Sequence, residues 1–116
     1  MPPEARERYR DYIIGVDWNQ KTLQAHDEIW AFNQELNDLG IRHIFFNGNN
    51  DFDKVQDRRD WKTNYIGPYD SKSTFDAVIR SQGIDTVMPG SWHFGRDGHA
   101  VFYRFILDYI IKNKFI

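Results

Sequence analysis

The sequence predicts an α/β fold with a short parallel sheet, and three observations carry that expectation. Ala25, Ile29, Phe32, Leu36 and Leu39 fall on one helical stripe within Thr22–Gly40. Gly40 ends that stripe, and the bulky run Ile41–Phe46 follows it as a buried-strand signal. A second helix–glycine–strand series then repeats the order, with Ser73–Gly83 as helix and Ile84–Pro89 as strand. Helix followed by strand, twice, is the grammar of a parallel sheet covered by helices.

The remaining elements follow in order. Pro2, Pro3 and Glu4 suit a helix start, so residues 4–16 read as a first helix, with Tyr9, Tyr12, Ile13 and Val16 on one side. The stretch 47–73 has no period and many turn residues, and a loop of that length in a small domain is functional or disordered. Its Phe52, Trp61, Tyr65 and Tyr69 favour an ordered, packed loop. Ser73 is the expected N-cap of the next helix, with Asp76 completing a loose capping box. The last helix, 99–114, shows a wide apolar face of Phe102, Phe105, Ile106, Tyr109 and Ile110, with Lys112 and Lys114 at its C-terminal dipole.

Composition bounds the rest. A chain of 116 residues makes one small domain, 1–116, with a modest core. Aromatic residues make up 16%, too many for a disordered chain. The net charge of -2 gives no basic field for a phosphate backbone, so nucleic acid is not an expected partner. No cysteine is present, which excludes disulfides, thiolate metal sites and a cysteine nucleophile. With no signal peptide and no apolar run near about 18 residues, the expectation is a soluble, cytoplasmic chain without membrane partners. Two strands make a short sheet with open edges, so a homo-oligomer is expected.

The chemistry concentrates in "PGSWHFGRDGH", residues 89–99. It lies between a strand and a helix, where open α/β sheets bind ligands. His93 is the candidate general base. Ser91 and Asp97 are its nearest hydroxyl and carboxylate in sequence, and Trp92 and His99 could wall a pocket. The structural alternative is a turn in which Asp97 caps the last helix and Gly95 and Gly98 permit tight backbone. His93, Asp97 and His99 match no recognised zinc spacing. Asn49, Asp51, Asp53, Asp57 and Asp60 have calcium-loop-like offsets, but Lys54 stands where the loop needs glycine. No metal or cofactor is therefore expected. His26 and His43 read as hydrogen-bonded structural residues.

The block "HFGRDGHAVFYRFILDYI" resembles the final block of the SGNH (GDSL-like) hydrolases. Over residues 20–116 the element order is similar to the second half of that flavodoxin-like, three-layer fold. The chain is also similar to uncharacterised marine phage proteins of this type, which would make it virion-associated if phage-encoded. The resemblance implies that His93 corresponds to the catalytic base and Gly98-His99 to the glycine–histidine pair opening the last helix. "GNND", residues 48–51, is similar to the family's Gly-x-Asn-Asp block, so Asn50, with Asn47 beside it, becomes a candidate substrate-binding residue. The alternative alignment makes that string a loop start. Two departures stand out. Gly90 occupies the position of the family's aspartate, and the Gly-Asp-Ser nucleophile block is missing. These features imply a binding or assembly protein without a complete triad. The alternative is an esterase or acetyl hydrolase acting on a small ester, with its nucleophile from another chain or segment.

Overall fold

The computed structural model describes residues 2–15, 17–91 and 93–115. Helix α1, Pro3–Gly15, begins at a proline and carries Glu4 in its first turn. Tyr9 and Tyr12 of the apolar side expected for this helix are exposed; the Ile13 side chain and Val16 lie outside what the structure describes.

Helix α2, Trp18–Asp38, starts at Asp17, whose side chain accepts from the Gln20 amide. It ends as the sequence predicts. Gly40 has φ +69°, its amide donates to Asn37 O, and the Ile41 amide donates to Leu36 O. This is a Schellman closure, in which the left-handed residue lets two terminal carbonyls be satisfied. The buried face is rotated from the predicted stripe. His26 and Asn33 lie at its centre, whereas Phe32 and Leu39 are exposed.

Strand β1 is Phe45–Phe46 and strand β2 is Tyr65–Ile66. They pair in parallel, Phe45 opposite Tyr65 and Phe46 opposite Ile66. The fold is therefore broadly α/β, with helices around a two-stranded parallel sheet. The second strand is not where the sequence placed it. Ile84–Pro89 forms no strand; Val87 bonds His93 O through its amide, and Val87 and Met88 are exposed. The true partner of β1 comes from inside the long loop.

Alternation along the strands separates two cores. Phe45 and Tyr65 join a cluster built on Phe52, Val55 and Trp61, covered by Ala25, Ile29 and Trp30 of α2. Phe46 instead meets Phe102 at 5.0 Å between ring centroids. The second cluster is Ile79, Phe94 and Phe102, with Phe105 and Ile106 packed against it. It joins helix α3, Phe75–Arg80, to helix α4, Arg96–Lys112.

The cap of α3 is Thr74 rather than Ser73. Thr74 Oγ1 accepts from the Ala77 amide at 3.0 Å. Ser73 instead donates to Asp70 Oδ2 and closes a short 3-10 turn, Ser71–Ser73. The Phe75 and Asp76 amides reach Asn47 O and Gly48 O, so the end of β1 satisfies the start of α3. Helix α4 starts at Arg96, earlier than predicted. Its N-cap is Gly95, with no side-chain cap bond. Asp97 lies inside the first turn and accepts from the Gly98 amide at 2.9 Å, so it is not the cap. Gly98 is buried, and a Cβ there would stand 2.8 Å from Phe94 Cβ and 3.1 Å from Ile79 Cγ2. Its missing side chain is what lets α4 approach α3.

Candidate functional site

In the described part of the stretch 89–99, Ser91 and Asp97 bond nearby backbone amides rather than one another or a histidine ring. Gly90 has φ +75°. That left-handed backbone suits glycine and costs most other residues roughly 1–2 kcal/mol, asparagine and aspartate least. Ser91 Oγ accepts the His93 backbone amide at 3.0 Å. This is a local hydroxyl-to-backbone turn, and Ser91 Oγ makes no hydrogen bond to the imidazole. The His93 imidazole is exposed and has no hydrogen bond or ion pair among the described residues. Asp97 is exposed and turned onto its own helix start. His99 is also exposed, 5.7 Å from the Phe75 ring between centroids. Trp92 lies outside the described residues.

Asn47 is placed differently, in the interior at 7% exposure. Its amide donates to Pro68 O at 3.2 Å, and its oxygen accepts from the Tyr65 hydroxyl. Both ends of the side chain are thus engaged within the fold, locking β1 to the segment after β2. Burial, with a smaller contribution from the neighbouring Tyr69, pushes the Tyr65 hydroxyl up to about 12. Asn50 is exposed and lines a cleft with Trp18, Asn19 and Lys54. Among the described residues, Asn50 lines that cleft without Asn47, Ser91, His93, Asp97 or His99, so these candidates are not gathered around it.

The raised Tyr65 value has a consequence with a definite sign. Above pH 10 the unfolded chain releases this proton while the folded protein keeps it. The stabilising contribution is complete below pH 10 and is lost as pH rises through about 12. An alkaline titration followed by phenolate absorbance should show Tyr65 ionising later than an ordinary tyrosine and together with loss of structure. A Tyr65→Phe variant that left the profile unchanged would contradict this.

The Tyr69 hydroxyl, which no motif marks, accepts or donates three hydrogen bonds. It lies 2.7 Å from His26 Nε2, 2.8 Å from the Arg59 amide and 2.9 Å from Trp61 Nε1. The last two groups can only donate, so they fill both lone pairs of the oxygen. Tyr69 must then give its own proton to His26 Nε2, which fixes His26 as the Nδ1–H tautomer. Nδ1 faces Asp27 Oδ1 at 3.8 Å, beyond hydrogen-bond length. The order hydroxyl, imidazole, carboxylate looks catalytic, but the oxygen has no lone pair left for attack. With His26 at 1% exposure, the group serves the fold. His43 is likewise hydrogen-bonded, Nδ1 to Ile41 O at 2.9 Å and Nε2 to Asn33 Oδ1 at 2.6 Å.

Among the described residues no group of three or more His, Cys, Asp or Glu side chains is placed to hold a metal ion. No helix there is long and apolar enough to cross a membrane. Comparisons with family models, with curated proteins and with solved structures gave no match to the chain.

Proposed function

We propose that the chain is a non-catalytic binding or assembly protein on an SGNH-hydrolase-like scaffold. One observation carries this reading: Ser91 Oγ accepts the His93 amide at 3.0 Å and makes no hydrogen bond to the imidazole. A hydrolytic triad needs the nucleophile bonded to the base and a carboxylate orienting that base. Here the hydroxyl is not bonded to the imidazole, Asp97 bonds its own helix, and Gly90 stands where the carboxylate would be. Self-association belongs to the same reading. It is supported by the open edge of a two-stranded sheet beside exposed Phe46 and Ile41.

A second reading keeps His93 as a general base for a small ester, served by a nucleophile from another chain or segment. The exposed imidazole, without a partner among the described residues, favours it. Hydrolysis of a short-chain aryl ester by the protein and by His93→Ala separates the two. Equal rates, with sedimentation showing species larger than the monomer, are expected. A rate that falls by tenfold or more in His93→Ala would favour the esterase, and a clean monomer at micromolar concentration would remove assembly.

A further inference from the structure

The cleft beside the first turns of α2 is unlike the stretch around His93. Trp18, Asn19, Thr22, Asn50, Asp51 and Lys54 line it, and it holds about 440 Å³. That volume suits a small ligand. A smaller hollow of about 110 Å³ adjoins it, sharing Asn19, Thr22 and Lys54 and adding Leu23 and Val55. The two form one trough, with an aromatic and polar part leading to a part with aliphatic walls.

Each wall is anchored. The Thr22 hydroxyl donates to Trp18 O at 2.8 Å, and Asp17 caps the helix through the Gln20 amide. The backbone carrying the indole is thus held while Trp18 stays 60% exposed. Opposite, Asp51 Oδ1 accepts the Asp53 amide at 2.9 Å and shapes the loop. The side chains of Asn19, Asn50 and Lys54 make no hydrogen bond among the described residues. The Asp53 carboxyl is held above its usual range, first by its hydrogen bond to Asp51. The loop therefore presents donors and acceptors together.

The composition discriminates among ligand classes. Phosphate is opposed by Asp51 and Asp53 beside a single lysine. A bare cation is opposed by the Lys54 ammonium in the same cleft. A wholly apolar ligand would bury the asparagine amides unpaired. A pyranose has a C–H face for an indole and an edge of hydroxyls for amides and carboxylates.

We propose that this trough binds a short neutral oligosaccharide, with one ring on the Trp18 indole and the next over the Leu23–Val55 hollow. The proposal rests on the binding reading above and names its ligand class. Titrating the isotope-labelled full chain with cellotriose, maltotriose and chitotriose tests it by amide and indole resonances. The expected result is saturable shifts of the Trp18 indole and of residues 49–54 with at least one trisaccharide. Trp18→Ala and Asn50→Ala should each weaken that binding by tenfold or more while leaving resonances elsewhere in place. No shift with any of the three at about 10 mM, where a millimolar site is mostly filled, would overturn it. So would shifts that persist unchanged in Trp18→Ala. Neither residue lies in 89–99, so failure here, with hydrolysis independent of His93, would remove the saccharide and leave the non-catalytic reading standing.

Discussion

Trp61→Ala is expected to destabilise the protein by about 3–5 kcal/mol, the range for truncating a large aromatic in a packed core. Trp61 is 4% exposed and joins the elements of the first cluster. Its ring lies 4.9 Å from Tyr65, 5.0 Å from Trp30 and 5.7 Å from His26, so it touches β2 and α2 together. Cavity formation is one part of the loss. The other is the Nε1 donor to Tyr69, whose removal leaves a lone pair unfilled. Denaturation in urea measures the change, and Tyr9→Ala on exposed α1 serves as a control expected within about 0.5 kcal/mol of the parent. A loss below about 1 kcal/mol for Trp61→Ala would mean that the long loop does not pack as described.

Tyr69→Phe is expected to cost about 3 kcal/mol although it removes one oxygen and opens almost no cavity. Three hydrogen bonds end on that oxygen, each worth roughly 1 kcal/mol net. Their partners are a buried imidazole, a buried indole and a backbone amide. His26 should also lose its enforced tautomer, visible in its imidazole nitrogen shifts. Because Trp61 and Tyr69 share a bond, losses from replacing both should fall short of the sum. A Tyr69→Phe variant as stable as the parent, with the His26 tautomer unchanged, would contradict the donor assignment.

Much of the frame was legible in the residues. Gly40 and Ile41 announced the end of α2 because only a left-handed residue followed by an apolar one closes a helix that way. The apolar face of α4 was read correctly at Phe102, Phe105 and Ile106, since all three pack in the second cluster. Strand β2 was not legible. It is two residues long and lies in a stretch without period, so no alternation was available to reveal it. Ile84–Pro89 misled for the opposite reason. Its apolar residues look like a strand, but only Ile84 packs into the core, and Val87 and Met88 face solvent. The face of α2 was rotated because His26 and Asn33 find polar partners inside, which no hydrophobic stripe records. At the candidate site, the helix following His93 was readable, but the strand expected before it is absent because Ile84–Pro89 forms none, and the Ser91 bond to the His93 amide depends on one local turn.

On the proposed non-catalytic reading, no serine of this chain is an activated nucleophile. Labelling with a fluorophosphonate, followed by peptide mapping, tests it at each of Ser71, Ser73, Ser81 and Ser91. The expected result is no adduct on any of the four, in the parent or in His93→Ala. A stoichiometric adduct on Ser91 that disappears in His93→Ala would show a working hydroxyl–imidazole pair and contradict the claim.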